Sequence, residues 1–343
     1  MAFSAGMRVV RNILCACLLC VLANGAAAQP GGLLAGVMPP GLEVSAGDEG
    51  TFPAGSINPA QLVSLDGWRT WGTVFAVRSS LSGDAKAETQ DVTASQVGTA
   101  LGADRNIASF GLAGGSVSYG QQTFSSGSGQ GRSHDLALTL YGRYSALDRV
   151  YLTGALSYGW HNIDTSRFIP TFPAISLTAA YQAQDVGGRL EGGYLFTQDE
   201  KVILSPFLAF AGDAFHQPAY AETGLPVFAA SFAAKTIAVT HLELGSRYVR
   251  FFSLDDGGSI SLDTLAGWEY ELDDNPYVLA AFQTAPDAQF PVYGARPAKN
   301  TALLGAGLRW QTVMGISLGA RGDARLGAGT TIASATADLT YQW

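Results

Sequence analysis

Past Asp66 the chain sorts its residues with a period of two. Leu136, Leu138 and Leu140 alternate with Asp135, Thr139 and Tyr141, and Leu152, Leu156, Tyr158 and Trp160 alternate with Tyr151, Thr153, Ser157 and His161. The same sorting separates Leu242, Leu244 and Tyr248 from His241, Glu243 and Arg247. It also separates Ile316, Leu318 and Ala320 from Ser317, Arg321, Asp323 and Arg325. Successive side chains of a strand point to opposite faces, whereas a helix would spread these charges around its circumference. Each alternating segment is about ten residues long, the length a tilted strand needs to cross the hydrocarbon core of a bilayer.

Composition decides what kind of strand protein this is. Charged residues are only 14%, against about 25% in ordinary soluble domains, and the mean hydropathy is +0.16. A charge-poor, hydrophobic chain whose segments alternate has one common membrane solution, a closed barrel, because only closure pairs every backbone N–H and C=O in lipid. The expected fold is therefore all-β: a transmembrane antiparallel up-and-down β-barrel of about twelve strands. The alternation places them at 69–79, 94–104, 107–119, 132–144, 150–163, 176–196, 201–215, 230–250, 259–271, 301–311, 314–326 and 331–343. The connections alternate as well. Short turns near 104–106, 145–149, 199–200 and 312–313 are interleaved with longer Pro/Gly-rich or polar stretches at 80–93, 125–131, 169–173, 216–229 and 272–300. Outer-membrane barrels show this asymmetry, with short turns at the periplasm and longer loops outside. Trp68, Trp71, Trp160, Trp268, Tyr270, Trp310, Tyr341 and Trp343 lie near segment ends, as interfacial aromatic girdles require.

Two segments precede the barrel at 66–343. Residues 1–28 read as a signal peptide: Arg8 and Arg11, an apolar run from Ile13 to Ala23, then Ala26-Ala27-Ala28 ahead of Gln29. All three cysteines, Cys15, Cys17 and Cys20, fall within it, so the processed chain is expected to hold no disulfide and no thiolate site. Residues 29–65, rich in Pro and Gly, read as a linker, a plug or a vestigial passenger. Losing Arg8 and Arg11 from the 20 basic residues leaves 18 against 28 acidic ones, which excludes nucleic-acid binding through counterion release.

The polar faces supply lumen charges: Arg189 with Glu191, Glu243 with Arg247, and Arg321 with Asp323 and Arg325. Mixed charges shielded from lipid are expected to pair across the interior. Enzyme chemistry finds no such footing. His134, His161, His216 and His241 show neither HExxH nor i, i+4 spacing, and no nucleophile motif of an outer-membrane lipase stands out. Asp213 with His216, and His241 with Glu243, are the two pairs that would suit a barrel hydrolase, and lumen hydrogen bonding is their expected role. The chain is expected to be no enzyme and to hold no cofactor or metal.

The last strand ends with Leu339, Tyr341 and the terminal Trp343 on one face. An aromatic end of this kind resembles the signal read by the outer-membrane barrel-insertion machinery. With it, the whole of 66–343 resembles the autotransporter translocator domain. The resemblance rests on Gly67-Trp68 with Trp71, Gly131-Arg132-Ser133 leading into Tyr141-Gly142, and Gly187-Gly188-Arg189-Leu190-Glu191-Gly192-Gly193-Tyr194. It continues through Pro218-Ala219-Tyr220-Ala221-Glu222-Thr223, Glu243-Leu244-Gly245 with Arg247, Ala280-Ala281-Phe282-Gln283 and Pro297-Ala298-Lys299. It implies a monomeric twelve-stranded barrel in the outer membrane of a Gram-negative bacterium, contacting lipid, the insertion machinery and periplasmic chaperones, and exporting an N-terminal segment. A non-exporting pore or structural barrel is the alternative, with a barrel hydrolase behind it.

Overall fold

A computed structural model describes residues 67–84, 89–107, 111–127, 129–147, 149–169, 172–199, 201–273 and 277–342. Residues 1–66, where the leader and linker are expected, and Trp343 lie outside the described residues. The strands are β1 (Trp68–Leu81), β2 (Val92–Asn106), β3 (Gly111–Ser126), β4 (Gly129–Leu147), β5 (Val150–Ile169), β6 (Phe172–Tyr194), β7 (Phe196–Asp199) and β8 (Val202–Gln217). They continue as β9 (Tyr220–Ala221), β10 (Ala230–Phe232), β11 (Lys235–Ser253), β12 (Ser259–Glu271), β13 (Tyr277–Phe282), β14 (Phe290–Tyr293), β15 (Asn300–Gln311), β16 (Ile316–Gly327) and β17 (Thr330–Gln342).

β1 pairs antiparallel with both β2 and β17, and each intervening barrel strand pairs with its neighbours, so the sheet closes. β7 pairs with β8 just as β6 does, continuing β6 past Leu195. The wall is thus a closed twelve-strand up-and-down barrel. Both its ends, Trp68 and Gln342, lie at one rim, the terminal rim.

The wall faces two solvents. Leu101, Leu138, Leu140, Leu156, Leu208, Leu308 and Leu339 turn outward, while Thr73, Gln96, Thr139, Ser157 and Glu243 are buried inside. Trp68, Trp160, Trp268, Trp310 and Tyr341 are exposed on the outer surface. Trp71 departs from the expected girdle. It shares the odd-numbered face of β1 with Thr73 and Phe75 and is 3% exposed, pointing into the lumen.

Trp71 shows how the wall accommodates large rings. It lies over Gly102, its register partner on β2. The same pairing sets Phe75 over Gly98, Phe124 over Gly131, Tyr141 over Gly114, Tyr151 over Gly193 and Phe207 over Gly245. A glycine leaves an open notch in the wall where the neighbouring strand's ring can lie flat.

Strand boundaries differ from the sequence expectation at the far rim. The stretches 125–131 and 169–173 are not long loops. β3 and β4 run to a tight turn at Gly127, which adopts φ 51, and β5 and β6 extend to Ile169 and from Phe172. Gly131, which resembles a loop residue there, is the notch under Phe124. The third strand starts at Gly111 instead of 107, since the amide of Ile107 already closes a turn on the Gly111 carbonyl at 2.7 Å. The segment expected as one strand at 230–250 breaks at Ala233-Ala234 into β10 and β11.

The break at Ala233-Ala234 exists because the far-rim connectors build a second sheet, in the order β14-β13-β10-β9. Its Ala230, Phe232, Val278, Ala280 and Val292 pack with Leu81, Val92, Phe124, Ile163, Phe215 and Ile237 from the barrel wall. Those wall residues all lie toward the far ends of their strands, so the sheet is a stopper in the far mouth. Burial of apolar surface at about 25 cal/mol per Å² holds it there.

The notches predict their own test. A Cβ at Gly102 would lie 2.3 Å from the Trp71 ring and one at Gly193 2.3 Å from the Tyr151 ring. Gly102→Leu and Gly193→Leu should each destabilise the barrel by about 1–3 kcal/mol, as overpacking does. Gly322→Leu, where the nearest atom is 3.8 Å away, should not. The melting midpoint of heat-modifiable gel migration in detergent separates the three.

Candidate functional site

The interior beneath the stopper is polar because strands that alternate toward lipid must alternate toward the lumen. Near the terminal rim, Arg69 donates to both oxygens of Asp104, at 2.8 and 3.1 Å. Trp71 Nε1 donates to Tyr141 Oη at 2.8 Å, and Tyr141 Oη donates to Asp104 Oδ2 at 2.9 Å. Arg309 on β15 holds both oxygens of Asp338 on β17, reaching over β16.

The seven predicted lumen charges come together in two groups. Arg189 on β6 donates to Glu191 Oε2 at 2.8 Å and to Glu243 Oε1 on β11 at 2.6 Å. Arg247 reaches from β11 to both oxygens of Glu191, which also accepts from Tyr151 Oη at 3.0 Å. Arg325 on β16 lies 3.2 Å from Glu269 Oε2 and 3.6 Å from Glu243 Oε1. Arg321 and Asp323 form the second group, with Arg321 donating to Asp323 at 2.9 Å and to Asp263. Most of the pairs cross strands that are far apart in sequence. Arg189 and Glu191 pair along one strand, as do Arg321 and Asp323, whereas Glu243 and Arg247 on β11 both turn away to β6, Glu243 to Arg189 and Arg247 to Glu191. Buried charges kept in such a chain must be matched this closely, since an unmatched one costs several kcal/mol.

Sequence reasoning missed two further clusters. His161 sits between carboxylates, with Nδ1 2.8 Å from Asp135 Oδ1 and Nε2 2.5 Å from Asp185 Oδ1. Asp135 and His161 are register partners across the β4–β5 turn, a pairing that counting outward from the turn would reveal. Arg167, 2% exposed near the far end of β5, donates from Nε and Nη2 to the two oxygens of Glu222, at 2.9 and 2.5 Å. It also donates to the Phe228 carbonyl at 2.8 Å, while Glu222 Oε2 accepts from the Ala230 amide. This is the latch of the stopper. Nothing local in the sequence marks it, because its two sides meet only when the connector folds back.

The two pairs that would suit a hydrolase are placed differently by the structure. Asp213 is buried inside while His216 faces outward to Thr236, as residues three apart on a strand must. His241 and Glu243 do share the lumen face, but neither ring nitrogen of His241 holds a serine or threonine hydroxyl. At the C-terminal end, Leu339 and Tyr341 both face outward on β17.

A search of curated proteins finds no match to this sequence. Solved structures do match. The translocator domain of the autotransporter NalP from Neisseria meningitidis superposes with a TM-score of 0.66 at 18% identity, over 80% of this chain and 88% of that one. The beta domain of the Bordetella autotransporter BrkA gives 0.57 at 20% identity, over 80% and 98%. These share the fold. The model of the autotransporter beta-domain family matches residues 70–339, nearly the whole described barrel. With the closed twelve-strand wall and its charge-filled lumen, the chain belongs to the autotransporter beta-domain family and is an outer-membrane translocator barrel.

Proposed function

We propose that this barrel carries the segment preceding Trp68 across the outer membrane and that the structure describes its closed form. One observation supports this most: the far mouth is stopped by the barrel's own connectors, pinned by the Arg167–Glu222 pair. Among the described residues no helix occupies the lumen. A conduit that shuts with its connectors leaves the lumen available to a passing chain before they fold back. Cleavage of residues 1–28 before Gln29, insertion guided by the Leu339–Trp343 end, and chaperone escort through the periplasm belong to the same proposal. The filled lumen favours a second reading, in which the barrel exports nothing and serves as a structural wall.

An epitope tag placed just after Gln29 distinguishes the two. Antibody reaching it on intact cells means the segment has crossed. Antibody reaching it only after the outer membrane is opened, while a tag in the 283–289 connector is surface-exposed, leaves the barrel in place and removes self-export.

The latch sets the conductance. Arg167→Ala leaves Glu222 buried without its guanidinium, and breaking a buried pair on one side costs about 3–5 kcal/mol. In planar bilayers the wild type should be closed almost throughout. Arg167→Ala and Glu222→Ala should open at least a hundredfold more often, with the double variant no worse than either single one. Unchanged closure in both single variants would place the seal elsewhere.

A further inference from the structure

Among the buried charges around Glu191, Glu243 and Glu269, an ionic belt inside the lumen, stands a histidine with neither ring nitrogen hydrogen-bonded. His241 is 1% exposed, and neither of its ring nitrogens has a hydrogen-bond partner. Leaving such a group unmatched inside a protein costs about 1–3 kcal/mol. Its Nε2 nevertheless faces two carboxylate oxygens, Glu243 Oε1 at 3.3 Å and Glu269 Oε2 at 3.6 Å.

Those separations are too long and too poorly aligned for good hydrogen bonds, but they suit ligands that share an ion. With metal–ligand bonds of about 2.0–2.1 Å, the edge between two ligand atoms of a tetrahedral site is about 3.3–3.4 Å. All three atoms lie within 4.8 Å of one another. We propose that His241 Nε2, Glu243 Oε1 and Glu269 Oε2 bind a divalent transition cation of the zinc class in the lumen.

The strand geometry explains how the three are presented. His241 and Glu243 are two apart on β11 and so share its inner face, and Glu269 is the register partner of Glu243 on β12. The i, i+2 spacing on a strand does what i, i+4 does on a helix. Thr301 Oγ1 donates to Glu269 Oε1 at 2.8 Å, which orients the carboxylate and leaves Oε2 toward His241. Glu271 faces His241 across the same strand pair and keeps the surroundings acidic. One nitrogen and two carboxylate oxygens are a zinc-type donor set, with a fourth position left for water.

Arg189 and Arg325 oppose the cation. Arg189 donates to Glu243 Oε1 at 2.6 Å, so that oxygen is shared. Arg325 lies over the same two oxygens, yet its Nη1 has no hydrogen-bond partner and its side chain is 16% exposed. The site sits directly under the stopper, since Ile237 and Val239, the preceding inward positions of β11, pack against the stopper cluster. A bound ion would tie β11 to β12 at that level.

The test is Co²⁺ and Zn²⁺ titration of the purified full chain in detergent, with folding checked by heat-modifiable migration. The expected result is one Co²⁺ per folded chain with a tetrahedral-type visible absorption, displaced by Zn²⁺. His241→Ala should abolish the band, and Glu269→Gln should weaken binding about 10–100-fold. His216→Ala, on the outer surface, should leave it intact. Arg325→Met should tighten binding about tenfold by removing the competing charge. Absence of stoichiometric uptake by folded wild type overturns the proposal, as does uptake undiminished in His241→Ala. Should His241→Ala fail to fold, unchanged or weaker binding in Arg325→Met overturns it instead.

Discussion

Everything in this structure depends on the pairing of β1 with β17. A strand that leaves its N–H and C=O groups open to hydrocarbon is intolerable in a bilayer, and thirteen register pairs from Arg69↔Gln342 to Leu81↔Thr330 remove that exposure. Once the sheet closes, the period of two becomes a division between lipid and lumen, and the lumen becomes the one place where charge can go. The belt around Glu191, Glu243 and Glu269 follows from that confinement. So does its mutual pairing, because an interior lined by twelve strands brings Arg189, Arg247 and Arg325 to the same carboxylates from three directions.

The wall was largely legible in the sequence because it obeys a one-dimensional rule. Each side chain's face depends only on its position along its own strand, so Leu138 and Asp135 can be assigned without knowing any partner. What depends on two strands at once was harder to read. Trp71 looks like a girdle tryptophan by its position near a segment end, and only the parity of Thr73 and Phe75 assigns it to the interior. The glycines at 129 and 131 look like loop residues until the ring of Phe124 is seen to need one of them. The latch was the least legible of all. Arg167 and Glu222 are 55 residues apart, and neither belongs to a periodic pattern that would betray the other.

The stopper and the belt are different physical devices stacked on one axis. The stopper is held by apolar contact and by the ring stack of Tyr181, Tyr220 and Phe232, whose successive centroids are 4.2 and 4.7 Å apart. It excludes water by filling space. The belt leaves some space, with Arg325 and Arg321 partly exposed, and holds its shape through charge. A barrel with only the belt would be a charged pore. A barrel with only the stopper would leave the wall beneath it unbraced.

The position of the latch imposes a chronology. Arg167 lies two residues from the end of β5, and the bridge from Thr178 to Thr223 grips the neighbouring strand at a similar height. Neither grip exists until the β5–β6 hairpin has been delivered to the far side of the membrane and its ends have zipped up. The seal is therefore a late event in the life of the molecule. Until then the lumen has a wall but no door, and the wall itself keeps the time.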